Sequence, residues 1–385
     1  MPTNGEAPAA ETAVPAGPSL LAWGACPALY VSYGLSAIKG RQPELTGALA
    51  AVPSFTVLSP PMGLDYFGVF DGHSGAEVAN YLTERLHGAI SDQILRELLA
   101  EAPRFLHGSQ GDVEGWWRAV MADAFQRVDA EVLQGLGGVD AAVAGATALV
   151  ALVLEQHVVL ANCGVSRAVI SRGGEILQLT AEHRPNRPDE KQRVENGGGR
   201  VDESTNTVDE FLPTSRAFGT CSLAGSVDYF WLNSIVRSIL ANYSYLPMTL
   251  YPAGSYLYKR YLIAEPEITA VARDPRDEFL ILATAGLWDS VSPVEACRVV
   301  ERKLRSRSRS AMACGAATDS RASATMLAKE LAQHAVRAGS TGNVSVIVVL
   351  FRDDPAVVAT ASPAPVLASG RVQRPRRGCL SCCSP

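Results

Sequence analysis

The chain has 385 residues, 47% hydrophobic and 19% charged, which is ample apolar material for one large enzyme-sized domain or for two smaller ones. A formal net charge of −5 gives no electrostatic reason to bind nucleic acid, and no run of about 18 apolar residues marks a membrane span. The N-terminus MPTNGEAPAAETAVPAGP lacks the basic and apolar blocks of a secretory signal, so an intracellular protein of cytoplasm or nucleus is expected.

Residues 1–25 are rich in Pro, Ala, Gly and Glu and poor in aromatics, a composition that predicts a disordered lead-in to a domain spanning 26–354. Within that domain FGVFDGHSG, residues 67–75, reads as an apolar strand that ends on Asp71, Gly72 and His73. An acid, a flexible glycine and an imidazole at a strand end suit metal binding and proton handling, although a plain surface turn has the same composition. The next segment, AEVANYLTERLHGAISDQILRELLAE, places Val78, Leu82, Leu86, Ile90, Ile94 and Leu98 at every fourth position, with Glu, Arg and Asp on the other face, and predicts an amphipathic helix.

Farther along, ATALVALVL and VVLANCG flank EQH, and RAVIS and EILQLT flank RGG, two patterns that predict antiparallel hairpins. Hairpins with helices packed outside them imply an α+β architecture of antiparallel sheets. Cys26, Cys163, Cys221, Cys297 and Cys314 are scattered and read as reduced thiols. His183 reads as a loop histidine, and His87, His107, His157 and His334 have no partners at metal-ligand spacing. The run KLRSRSRS, residues 303–310, reads as a solvated helix end or loop. After 354 the chain is Ala, Pro and Ser rich and reads as a flexible tail. Its end, RVQRPRRGCLSCCSP, joins Arg371, Arg374, Arg376 and Arg377 to three cysteines, so lipid anchoring by S-acylation competes there with a free tail.

Read in order, YGLSAIKGRQPEL, FGVFDGHSGAEVA, GATALVAL, ANCGVSRAVISRGG, HRPNRPDEKQRVENGGGRV, SRAFG, FLILATAGLWDSVSPVEA and GNVSVIVVLF resemble the type 2C metal-dependent protein serine/threonine phosphatases, especially plant members. The resemblance implies two antiparallel β-sheets forming a sandwich with helices on both outer faces. It also implies a centre of two Mg²⁺ or Mn²⁺ ions that hydrolyses phosphoserine and phosphothreonine in protein substrates by a metal-activated water, in a protein expected to be monomeric. In that reading Asp71 bridges both ions, the Gly72 carbonyl joins the metal shell, and His73 donates a proton to the leaving oxygen.

The departures from the family pattern are chemical. Gln42 stands where members carry a phosphate-binding arginine, and Glu44, Leu45, Thr46 and Gly47 stand in place of Glu-Met-Glu-Asp. Expected aspartates are replaced by Val165, Thr220, Ala285 and Gly342, leaving Asp71. Two dications about 4 Å apart repel by roughly 17 kcal/mol at an effective dielectric near 20, which one carboxylate cannot offset. Asp65, Glu44 and above all Asp289 are the acids that would have to rebuild the shell, and Arg41, adjacent to Gln42, is the candidate cation for binding the substrate phosphate. If residues 39–46 continue a strand, the Arg41 side chain points to the opposite face from Gln42. These substitutions predict a phosphatase of weakened activity. The alternative is an inactive pseudophosphatase that binds phosphoproteins or regulatory partners. Residues 220–258 form an insert unusually apolar and aromatic for a loop, with Tyr229, Phe230, Trp231, Tyr243 and Tyr245. The segment reads as a docking flap, an exposed sticky patch, or sequence foreign to the working protein.

Overall fold

The computed structural model describes residues 31–56, 64–99, 113–135, 144–210, 212–220, 258–314 and 320–351. The expectations for the lead-in, for the interior of the insert and for the tail fall outside these residues.

Apolar stretches of period two and near-continuous β-branched runs fold into strands β1 (Ser32–Ile38), β2 (Gly47–Val52), β3 (Asp65–His73), β4 (Gly145–Val153), β5 (His157–Cys163), β6 (Arg167–Arg172) and β7 (Glu175–Gln178). Short pairs follow, β8 (Val201–Asp202) with β9 (Thr207–Val208), and β10 (Phe218–Gly219) on β4; then come β11 (Glu267–Ala272), β12 (Asp277–Ala283) and β13 (Val344–Leu350). One sheet runs β1-β13-β12-β6-β7 and the other β11-β5-β4-β3-β2, with every pairing antiparallel. Both predicted hairpins are present, β4 with β5 and β6 with β7.

The sheets face each other across Phe67, Val69, Leu149, Leu160, Ile170, Leu282 and Ile347. Outside β3 and β4 lie helices α1 (Glu77–Leu99) and α2 (Val113–Leu133), packed through Leu82, Leu86, Ile90, Met121 and Phe125. This double coverage is why all of β4 is buried. A nine-residue helix, α3 (Pro188–Asn196), begins with Pro188 at a position where its missing N–H costs nothing, and α4 (Ala285–Trp288) is a single turn. Outside the first sheet α5 (Pro293–Cys314) and α6 (Ser320–Arg337) pack through Val300, Leu327 and Leu331.

The predicted face of α1 holds from Val78 to Ile94 but not at its end, since Leu98 is exposed where the helix runs past the sheet. The KLRSRSRS run lies within α5, where Lys303 and Arg305 pair with Glu330 and Glu301 at the surface. Cys163 and Cys297 are free buried thiols. Among the described residues no helix is long and apolar enough to cross a membrane.

Candidate active site

The C-terminal ends of β3 and β12 and the N-terminal ends of β2 and β13 meet at one edge of the sandwich, which brings Asp71 beside Gly47 and Thr147 in the sheet register. A cavity of about 600 Å³ opens there. Asp71, Gly72, His73, Gln42, Ala285, Gly342 and Asp289 all line it, so residues up to 300 positions apart in the chain share one cavity. Glu44 lines it as well. Gly47 and Val165 are buried nearby, and Asp65 lies at the far end of β3, capping the Ser54 N–H at 3.0 Å.

Residues 39–46 form a turn, not a continuation of β1. Gly40 has φ 59°, in the left-handed region, and a Cβ there would sit 2.4 Å from the Gly342 carbonyl, so the strand ends at Ile38. The expected strand alternation of Arg41 and Gln42 therefore does not apply. Gln42 reaches the cavity wall and donates from Nε2 to the Thr341 carbonyl at 3.0 Å, while Arg41 is exposed and does not line the cavity. The turn is fastened by Asn343. Its Oδ1 accepts from the Thr46 and Gly47 N–H groups at 2.6 and 3.2 Å, and its Nδ2 donates to the Glu44 and Lys39 carbonyls at 3.1 and 3.2 Å. Sequence reasoning gave Asn343 no role of its own.

His73 lines the cavity and Thr220 packs behind it. Thr220 is fully buried with φ 51°, a costly conformation for a β-branched residue, and its Oγ1 lies 2.7 Å from His73 Nε2. Gly145 makes room for the pair, since a Cβ there would fall 1.9 Å from Thr220 Oγ1. The turn carrying Thr220 is pinned from α2, where Asp129 accepts from the Gly219 N–H at 2.8 Å and from Lys259 Nζ at 2.9 Å. Burial, and then the Lys259 charge, push the His73 imidazole down to about 4.

Asp71 is the half-buried acid of the cavity, at the end of β3. Burial, and then the charge on Asp289, push its carboxyl up to about 7. Asp289 stands at the cavity rim, its Oδ1 accepting from Arg184 Nη2 at 2.9 Å. His183 is not a plain loop residue. It is fully buried, its Nδ1 accepts from the Gly164 N–H at 3.0 Å, and its Nε2 donates to Glu267 at 3.2 Å, which fixes one tautomer and anchors the turn that carries Val165.

The side chains present do not fit a two-ion centre. Among the described residues no three of His, Cys, Asp and Glu gather so as to hold a metal ion. Of the acids that line the cavity, Asp71 stands at the end of β3, Asp289 is engaged by a guanidinium, and Glu44 sits on the exposed turn. Ala285 and Gly342 face the same space with no donor atom in a side chain.

Residues 31–344 match the family model of protein phosphatase 2C. The chain is 34% identical to probable protein phosphatase 2C 8 of Oryza sativa subsp. japonica, over 86% of this chain and 76% of that protein. It is 31% identical to protein phosphatase 2C 56 of Arabidopsis thaliana, over 82% of this chain and 67% of the other. Among solved structures it resembles the serine-threonine phosphatase 2C of Toxoplasma gondii, at TM-score 0.60 and 19% identity, over 84% of this chain and 95% of that one. A Caenorhabditis elegans sex-determining protein superposes at TM-score 0.57 and 21% identity over 84% of this chain, which spans 65% of that longer one. These relatives share the antiparallel sandwich and its helical flanks, and the family model runs through both the Asp71 strand and the Asn343 turn: the chain belongs to the protein phosphatase 2C family.

Proposed function

We propose that this chain is a phosphoprotein-directed member of the family whose cavity receives phosphoserine or phosphothreonine segments and hydrolyses them slowly. The supporting observation is the composition of the cavity wall, where Ala285 and Gly342 occupy positions that family resemblance gives to aspartate while Asp71 remains. Members of the family are generally Mg²⁺ or Mn²⁺ dependent. In this reading Asp71 and the Gly72 carbonyl are the oxygens left for a metal ion, Gln42 offers the phosphate neutral hydrogen bonds in place of an arginine fork, and His73 faces the leaving oxygen.

A purely binding role is the second reading, favoured by the Arg184 bond that occupies Asp289, the acid best placed to compensate for the missing ligands. Turnover of a phosphothreonine peptide in Mn²⁺, compared between the native chain and Asp71→Asn, separates the two. Slow turnover abolished by the substitution supports the phosphatase reading. Turnover as fast as in the plant relatives refutes the proposed weakening. Peptide binding without turnover leaves the binding module, and neither binding nor turnover overturns both readings.

A further inference from the structure

Among the described residues no lysine or arginine lines the cavity, yet Asp71, Glu44 and Asp289 do, so a phosphate dianion entering it meets acidic side chains and no cationic one from these residues. The nearest source of positive charge lies one contact away. Arg184 Nη2 holds Asp289 Oδ1 at 2.9 Å, and Arg184 Nε holds Glu182 at 2.5 Å, while Glu182 also accepts from Arg167 at 2.5 Å. Arg167, Arg184, Glu182 and Asp289 thus form a cluster of two positive and two negative charges that is electrically balanced only because Asp289 belongs to it.

The two bonds to Arg184 differ in strength. Glu182 is shielded, at 12% side-chain exposure, whereas Asp289 is 60% exposed and its bond to Arg184 lies at the solvent-facing rim. An exposed carboxylate of this kind contributes little and exchanges readily for a better anion. Arg184 itself starts from a fixed backbone, because the preceding residue, His183, donates its N–H to the Gly164 carbonyl at 2.9 Å and its carbonyl accepts from the Ser215 N–H at 3.0 Å. Lys39 and Arg41 flank the wall on the 39–46 turn, but both are exposed, neither lines the cavity, and Lys39 donates to the Pro43 carbonyl at 3.3 Å.

We infer that Arg184 is the cation that receives the ligand's phosphate, and that Asp289 is an internal anion the phosphate displaces. A guanidinium that keeps Glu182 on Nε still has its terminal nitrogens free to exchange Asp289, at the cavity rim, for a phosphate, where charge-assisted bonds to a dianion outcompete one to an exposed carboxylate. This deepens the phosphoprotein reading and rests on it. It supplies the positive charge that Gln42 lacks, and it gives Asp289 a role opposite to that of a metal ligand.

The test is fluorescence anisotropy of a labelled phosphothreonine peptide on the full chain in chelator, with the unphosphorylated peptide as control. Asp289→Asn is expected to tighten binding about threefold or more, Arg184→Gln to weaken it about tenfold or more, and Arg184→Lys to fall between Arg184→Gln and the native chain. Circular dichroism melts check that each variant is folded, and Asp289→Asn, which gains affinity, cannot owe its effect to unfolding. Weaker or unchanged binding in Asp289→Asn, or native affinity in Arg184→Gln, overturns the inference while leaving the phosphoprotein reading standing, as does loss of binding only in Lys39→Ala. Absence of saturable phosphopeptide binding by the native chain and by Asp289→Asn overturns the inference and, when Mn²⁺ turnover is also absent, the reading beneath it.

Discussion

Replacing Glu190 by glutamine removes the charge at the centre of the ion cluster that ties α3 to Ser215 and Arg216. Glu190 is almost fully buried on α3, with Oε1 accepting from Arg216 Nη2 and Nε at 2.6 and 3.0 Å, and Oε2 accepting from Arg193 Nη2 at 2.5 Å and from the Ser215 hydroxyl. Burial alone would raise its carboxyl, but the bonds from Arg216, Arg193 and Ser215 outweigh that and hold it well below the usual range. A glutamine turns an N–H toward one of these donors and leaves two guanidinium groups without a counter-charge. Breaking a buried pair costs about 3–5 kcal/mol. Arg216 and Arg193 keep their bonds to the Glu265, Tyr261 and Ser215 carbonyls, so the lower end, about 3 kcal/mol, is expected. With a urea dependence of about 3 kcal/mol/M, the midpoint should fall by about 1 M. Because the folded carboxyl is depressed, its contribution is complete above the unfolded value of 4.5 and is lost as pH falls below it. The gap between native and variant midpoints should therefore be widest at neutral pH and close in acid. A shift under about 0.3 M at pH 7, or a gap that widens as pH falls, would refute the reasoning.

Three further outcomes are expected. Asn343→Ala strips four partners from the 39–47 turn, two of them N–H groups at its inner end, and should cost about 2–3 kcal/mol by urea unfolding; a loss below 0.5 kcal/mol, on the same scale, counts against the fastening role. Gly145→Ala drives a Cβ to within 2.4 Å of His73 Nε2 as well as into Thr220, so it should cost about 2 kcal/mol and shift the His73 imidazole resonances, and an unchanged spectrum would contradict the packing. Glu267, held down to about 2 by its bond from His183 and by Arg187, contributes stability above pH 4.5 that is lost as pH falls toward 2. Its side chain is 41% exposed, so Glu267→Gln should cost under about 1 kcal/mol, far less than Glu190→Gln, and an equal cost in the two variants would contradict the ranking by burial.

The sandwich was legible because its signals are local. The short apolar runs ATALVALVL and VVLANCG, with a short turn between them, specify one antiparallel pair, and the four-residue spacing in α1 specifies the face that covers it. The ends of β3 and β13 were legible as blocks of residue types, and they converge on one cavity. What remained hidden depends on contacts between distant segments. Arg184 and Asp289 are 105 positions apart, Asn343 and Thr46 are 297 apart, and neither pairing leaves a periodic trace. His183 looked like a loop residue because its neighbours are polar, yet its burial comes from Gly164 and Glu267, both remote in sequence. Arg41 does point away from the cavity, but because Gly40 turns the chain and not because a strand alternates there.

In the proposed reading, missing carboxylates, not a missing fold, weaken this site. Calorimetric titration of Mn²⁺ into the native chain and into an Ala285→Asp, Gly342→Asp double variant tests it directly. The account predicts weak binding by the native chain, with a dissociation constant of about 1 mM or above, and at least about hundredfold tighter binding once two carboxylates join Asp71 at the cavity wall. Tight binding of two ions by the native chain, unaltered in the double variant, would contradict it.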